Sequence, residues 1–595
     1  MRVMEEEQPE EGKNSVEEEE NSKSTPIFMY KEEIEEILGY KFVNKTLLEE
    51  AFTHPSFFDP RVSIQPCINY ERLEFVGAAV LDLVIAKEMF ILYPRFSPGK
   101  LSRLRAANVD MERLARVAIK FGLHRYIRYK KTFRIDEQIR EFSEATVEYP
   151  VNSNGLIYVP RFLAHVVEAI FGAVFIDCNS SMDITSSFLT VRKIIKDLLE
   201  PLVSPETIEE HPMTELQEFC QKNKLKLKIV KDLKIKENKK VSVLVNDTLI
   251  GIGTHGGKQE IAQNRAARSA IDNLRSNNTF SFVFKPFEKR VGFLNQEEEP
   301  DLEEEEEEED HENHLPDIDW LLKVYEVQKI LGYEFNDKSL LAEAFTHPSF
   351  YDGDDERDIN SVYKKISYER LEFIGDSTLN MLIVKEMYNL YPDLTPGRLT
   401  RITAANVDNE KLARVAIKYG FHHCLRYDTP HLARQIEVFC EELLDYPMHS
   451  NGLIDEPKCL ADLVEATVGA VFIDSNFSLD TVWKVVSEIL KPMMGHEIVE
   501  KHPMAELLEF CQKNRLKIEL VKDLGNNNST KRVDVYVEDN LTGTGIHEVK
   551  KEIAKNRAAK AALDYVNMNK STLIAETNST TFSFVERTNP AIESS

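Results

Sequence analysis

YERLEFIGDSTLN, residues 368–380, is the stretch around which the chain is organised. Glu369, Glu372 and Asp376 stand at i, i+3 and i+7, among Leu371, Phe373 and Ile374. On a helix that spacing lines the three acids along one stripe beside the face that packs on the core. Carboxylates so close to an apolar face repel one another unless a cation lies between them. A second acidic pair follows at ADLVEATVGA, 461–470, where Asp462 and Glu465 are spaced i, i+3 on a helix of small residues that can approach another closely. Glu372, Asp376, Asp462 and Glu465 together make an all-oxygen set suited to Mg²⁺ or Mn²⁺ and, without Cys or His, unsuited to Zn²⁺. Either pair alone reads equally as a solvated or salt-bridged helix face.

The same segments occur twice. EEILGYKFVNKTLLEEAFTHPSF (35–57) returns as QKILGYEFNDKSLLAEAFTHPSF (328–350), and PGKLSRLRAANV (98–109) as PGRLTRITAANV (396–407). YERLEFVGAAVL (70–81) is the counterpart of the opening stretch. A repeat this long is a duplicated multidomain unit, not a solenoid. Each copy begins with a long region of helical periodicity and few strand-like runs. A shorter module follows, in which an amphipathic helix, alternating stretches and an Ala-rich helix predict α-β-β-β-α. The predicted organisation is an acidic disordered tail (1–29), a helical domain (30–200) and a first α-β-β-β-α module (211–276). An acidic linker (277–318), a second helical domain (319–496), a second module (502–568) and a loose C-terminal tail (569–595) complete it.

At 595 residues, 42% of them hydrophobic, the chain is too long for one core and too apolar for wholesale disorder. Of the net charge of −27, residues 1–20 carry −7 and residues 297–312 carry −13, leaving −7 for all the rest. Acidic blocks of this kind are solvated, so the total charge does not argue against a polyanionic partner. Seven cysteines without a CxxC pair suggest reduced thiols rather than a disulfide framework. The start MRVMEEEQ has no signal-peptide pattern, and no apolar run of about 18 residues is expected to span a membrane. An intracellular protein is expected, nuclear rather than cytoplasmic.

YERLEFIGDSTL together with ADLVEATVGAVFID resembles the two signature helices of the ribonuclease III family, and AFTHPSF and PGRLTRITAANV resemble its flanking segments. The trailing modules resemble double-stranded-RNA-binding domains. The combination is similar to plant ribonuclease-III-like proteins, with two nuclease domains like Dicer. The resemblance implies two mostly all-α nuclease domains, each followed by an α+β RNA-binding domain. It implies that Glu372, Asp376, Asp462 and Glu465 hold two Mg²⁺ or Mn²⁺ ions, with Glu369 an accessory acid near the scissile phosphate. The implied reaction is hydrolysis of double-stranded RNA to 5′-phosphate and 3′-hydroxyl ends. The first copy departs from the pattern: it keeps Glu71, Glu74 and Glu168, but Ala78 and His165 replace the two aspartates. It is expected to be a folded pseudo-nuclease, leaving the chemistry to the second copy. Pairing of the two nuclease domains within the chain implies nicking, whereas homodimerisation through the second domain implies double-strand cleavage. The rival reading is a non-catalytic protein that shields duplex RNA or modulates another nuclease.

In the second module Lys550, Lys551 and Lys555 open the last helix, where the dipole also favours phosphate. The first module offers Lys258, with Gln259 and Gln263 in place of the lysines matching Lys551 and Lys555, so the second is expected to dominate RNA binding. Family resemblance adds Glu509, and Glu218 in the first module, as minor-groove contacts. Neither copy carries the family's Gly-Pro-x-His loop. His54 and His347 read as structural, and Cys220 and Cys511 as packed thiols.

Overall fold

The computed structural model describes residues 30–58, 68–130, 134–208, 211–232, 238–276, 318–351, 366–495, 502–523, 530–569 and 582–589. The acidic tail at 1–29 and all but the last residue of the expected linker lie outside these residues. The chain divides into two compact units, Met1–His314 with Val384–Pro396, and Leu315–Ile383 with Gly397–Ser595.

In the first unit a helical body is built on Arg161–Asn179, whose Leu163, Val166, Val167, Ile170, Phe171 and Phe175 are wholly buried. This helix is long and apolar enough to cross a membrane, contrary to the sequence expectation, but 78% of its most apolar window is buried inside the protein. Its apolar surface is spent on neighbouring helices, chiefly Glu71–Leu92. Asp177 near its end accepts hydrogen bonds from the Tyr40 hydroxyl at 2.7 Å and from the backbone N–H groups of Val43 and Asn44 at 2.8 and 2.7 Å. The repeated ILGY segment is thereby tied to the core. Arg72 donates to the carbonyls of Tyr391 at 3.1 Å and Tyr388 at 3.2 Å, and its guanidinium lies 4.7 Å from the Tyr388 ring centre. These residues belong to Val384–Pro396, which clusters with this unit.

The second unit repeats the plan. Lys458–Asp474 is the core helix, Glu369–Leu390 begins beside it, and Asp474 takes up the Tyr333 hydroxyl at 2.7 Å and the Asp337 N–H at 2.8 Å. His347 Nδ1 accepts from the Ser349 N–H at 3.0 Å and lies 2.8 Å from its hydroxyl. His54 does the same with Ser56 and caps a short 3₁₀ turn, as its structural reading expects.

Each helical body is followed by an α-β-β-β-α module. In the first, helices Pro212–Lys222 and Gln259–Ser276 cover an antiparallel sheet of β1 (Leu227–Asp232), β2 (Lys239–Val245) and β3 (Thr248–His255), ordered β1-β2-β3. Val241, Val243 and Val245 alternate into the core, as a half-buried strand requires. In the second, helices Pro503–Asn514 and Lys551–Met568 cover β4 (Lys517–Asp523), β5 (Lys531–Val537) and β6 (Asn540–His547). Cys220 and Cys511 are buried in the two module cores. One expectation fails here. The tail, read as loose, contributes β7 (Ser583–Asn589), which pairs in parallel with β4 to make a four-stranded sheet ordered β6-β5-β4-β7. The Ser/Thr-rich composition pointed to a solvated tail, but the edge of β4 offers unpaired backbone groups that a strand can satisfy.

Candidate metal centre and nucleic-acid interface

Two glycines set the geometry of the acidic centre. A Cβ on Gly375 would lie 1.9 Å from the Glu465 carbonyl oxygen, and one on Gly469 would lie 2.2 Å from that of Leu371. No side chain fits at either position, so the two helices touch backbone to backbone. Their acids, a residue or turn away, are forced together: carboxylate oxygens of Glu372, Asp462 and Glu465 all lie within 4.8 Å of one another.

Burial pushes the Glu465 carboxyl up to about 9, and the charges of Asp376, Asp462 and Glu372 add to it. Asp462 is pushed up to about 6 by burial and by Glu372, opposed by Lys458 and by a hydrogen bond from Tyr368. At neutral pH Glu465 holds a proton that a divalent cation would replace. Hard oxygen donors without nitrogen or sulfur fit Mg²⁺ or Mn²⁺. Asp376 is exposed and bears electrostatically on Glu465, but lies outside the tight group of three. Glu369 is exposed in the first turn of its helix, 3.4 Å from the Ser367 hydroxyl, also outside that group.

The sequence reading missed Lys458. Its Nζ stands 2.9 Å from Glu372 Oε1 and 2.5 Å from Asp462 Oδ1, a counter-charge bridging the two helices. These two hydrogen bonds hold the ammonium above its ordinary range although burial works against it.

The first unit has the same crossing. A Cβ on Gly77 would lie 1.8 Å from the Glu168 carbonyl oxygen, and one on Gly172 2.0 Å from that of Leu73. Glu74, His165 and Glu168 offer donor atoms within 4.8 Å of one another, and His165 Nδ1 is 3.4 Å from Glu74 Oε2. Burial raises Glu168 to about 8, helped by Glu74, and raises Glu74 to about 7, helped by Glu71. Burial and Arg161 lower His165, which favours neutral imidazole. Ala78 contributes no donor.

In the second module, Lys551 and Lys555 lie close to Lys522 on β4, whose ammonium is lowered by burial and by these two lysines. Lys522 had no place in the sequence reading. Its ion pair with Glu586 brings β7 to the same face. Lys550 turns instead to Asp455 of the helical body, at 2.5 Å. Lys258 lies 4.7 Å from the ring centre of Tyr158. Glu509 and Glu218 are exposed on the first helices of their modules.

The last helix of each module is seated on the body that precedes it. Asn556 donates to the Gly452 carbonyl at 3.0 Å, and Arg557 Nε to the Leu453 carbonyl at 2.8 Å. Arg557 also reaches Glu442 at 2.7 Å. Asn264 and Arg265 make the same contacts with Gly155 at 3.1 Å and Leu156 at 2.8 Å. Gly155 and Gly452 have φ of +83° and +86°, and a Cβ there would meet the asparagine Nδ2 at 2.6 and 2.8 Å. Both the turn and the close approach require glycine.

Comparison with known proteins matches the profile of the Ribonuclease III domain at residues 71–179 and 369–476, and that of the Double-stranded RNA binding motif at 212–274 and 503–566. Ribonuclease 3-like protein 3 of Oryza sativa subsp. japonica is 48% identical over 243 residues, covering 41% of this chain and 78% of that protein. Endoribonuclease Dicer homolog 1 of Arabidopsis thaliana is 30% identical over 510 residues, 84% of this chain but 22% of that protein. The solved nuclease domain of ribonuclease III from Campylobacter jejuni is 29% identical and aligns with a TM-score of 0.22, covering 28% of this chain and 94% of that domain.

Proposed function

The chain belongs to the ribonuclease III family, with two nuclease domains and two double-stranded-RNA-binding domains, and we propose that it cleaves duplex RNA with the second nuclease domain alone. One observation carries the assignment. The second crossing gathers Glu372, Asp462 and Glu465 with Asp376 nearby, while the first has lost two carboxylates to Ala78 and His165.

Bound Mg²⁺ or Mn²⁺, two ions by the charge of four carboxylates, would supply an activated water and stabilise the leaving oxygen. Glu372, Asp462 and Glu465 would hold the metal, Asp376 would complete the set from the exposed side, and Tyr368 orients Asp462 by its hydrogen bond. Lys458 offsets part of the negative charge of Glu372 and Asp462. Glu369, exposed at the head of the helix, would be the accessory acid near the scissile phosphate. Lys551 and Lys555, beside Lys522 and its ion pair with Glu586, would face phosphate in the second RNA-binding domain, as such domains grip A-form duplex by shape.

In this reading the nuclease domains pair within one chain, as the duplicated architecture favours. One competent site then cuts one strand. Duplex RNA labelled at both ends and incubated with Mg²⁺ tests this on paired gels. The expected outcome is cleavage on a denaturing gel with intact duplex on a native gel. Double-strand breaks from a demonstrated monomer would overturn the nicking assignment, and RNA intact on both gels would leave the protein a duplex-binding factor.

A further inference from the structure

We propose that the altered centre of the first nuclease domain is a one-ion site for a borderline transition metal, Zn²⁺ foremost, formed by Glu74, His165 and Glu168. Three observations meet there. The donor atoms of these residues lie within 4.8 Å of one another, and the 3.4 Å from His165 Nδ1 to Glu74 Oε2 is about the edge of a tetrahedron with metal–ligand bonds of roughly 2.1 Å. The backbone that holds them is the same close crossing as in the second domain, with Gly77 against Glu168 and Gly172 against Leu73. The geometry is therefore kept by packing and does not depend on an ion to assemble it.

The donor chemistry has changed in kind. One imidazole nitrogen and two carboxylate oxygens are the mixture that zinc sites use, with a fourth position left for water, whereas Mg²⁺ seldom takes nitrogen. The charge has changed too. Four carboxylates, as in the second domain, carry enough negative charge to balance two divalent ions; Glu74 and Glu168 balance one. One ion without the Asp376 counterpart lacks the partner that a two-metal displacement requires. The site therefore binds metal without cutting RNA.

The internal counter-charge is also gone. In the second domain Lys458 stands between Glu372 and Asp462. Arg161, at the matching place one turn before His165, is exposed and pairs with neither Glu74 nor Glu168 among the described residues. Two adjacent, largely buried carboxylates are left to an external cation.

The test uses the full chain carrying Asp462→Asn and Glu465→Gln, so that the second domain no longer competes. Co²⁺ is titrated at pH 7.5 and followed by its visible d–d absorption, then challenged with Zn²⁺ and with millimolar Mg²⁺. One equivalent of Co²⁺ is expected, bleached by stoichiometric Zn²⁺ and unmoved by Mg²⁺. Adding His165→Ala is expected to weaken Co²⁺ binding at least 100-fold, and His165→Asp to make the bound ion displaceable by Mg²⁺. Circular dichroism checks that each variant is folded. No saturable Co²⁺ binding, or binding that survives His165→Ala, would overturn the proposal. The readout involves no RNA cleavage, so it fails or stands independently of the assignment of catalysis to the second domain.

Discussion

Asn556 Nδ2 donates to the Gly452 carbonyl at 3.0 Å, and 292 residues earlier Asn264 makes the same bond to Gly155 at 3.1 Å. An interface built twice from the same four residue types is a designed seat for the RNA-binding domain. Asn556→Ala removes a donor from a half-buried carbonyl and is expected to weaken the seat by about 1–2 kcal/mol. Hydrogen exchange checks it: faster exchange is expected in Ser450–Leu453 and at the start of Lys551–Met568, with the sheet β4–β6 unchanged. No change at the loop would show that the remaining contacts hold the seat without it.

Helix contact at glycine makes the metal centre sensitive to one methyl group. Gly375→Ala puts a Cβ 1.9 Å from a backbone oxygen, so the helices must separate, at a cost of about 1–3 kcal/mol. Cleavage of duplex RNA is expected to be lost even where the variant stays folded. Gly397→Ala, where nothing lies within 4 Å, is the matched control and is expected to leave both melting temperature and activity unchanged.

Raised carboxyls give the metal-free centre a pH signature. Glu465, pushed to about 9, and Asp462, to about 6, bind protons more tightly in the folded chain than when unfolded. Between the ordinary carboxyl range and about pH 9 the unfolded state holds fewer protons, so the metal-free protein loses stability as pH rises. Divalent metal displaces those protons and reverses the trend. Melting curves from pH 6 to 9 are expected to fall in EDTA and to show a Mg²⁺-induced gain that grows with pH. A gain that shrinks with pH would contradict the protonated cluster.

Lys551 and Lys555 are half-buried beside Lys522, with Lys555 also 3.3 Å from Glu552, whereas Lys550 pairs with Asp455 and Lys258 lies over Tyr158. Lys551→Gln with Lys555→Gln is expected to weaken binding to duplex RNA and to lower the slope of log affinity against log salt by roughly 2. Lys258→Gln is expected to leave both nearly unchanged. Filter binding at several salt concentrations separates the two cases.

Much of this was legible in the sequence because repeats and carboxylate spacing are local signals. Glu372 with Asp462 and Glu465 could be paired by reading two helices side by side, and Ala78 and His165 stood out against their own duplicate. Lys458 could not be found that way. A lysine at i, i+4 to an aspartate is an ordinary feature of helix surfaces, and only the crossing with Glu372 makes it a bridge. Asn556 and Arg557 lie in a helix read from its lysines as an RNA-binding element, so their seat on a neighbouring domain carried no periodic mark. Strand β7 was hidden for a related reason: its short run gains structure from the free edge of β4, a nonlocal partner that composition does not reveal.

The central claim, that cleavage belongs to the second nuclease domain, is tested most directly by cleavage rates of the full chain carrying either Asp462→Asn or Glu168→Gln on the same duplex in Mg²⁺. Losing one metal-binding carboxylate removes several kcal/mol of transition-state stabilisation, on the order of 10³-fold in rate. That loss is expected for Asp462→Asn, and a rate within about twofold of the unaltered chain for Glu168→Gln. The reverse pattern, or equal loss from both, would contradict it.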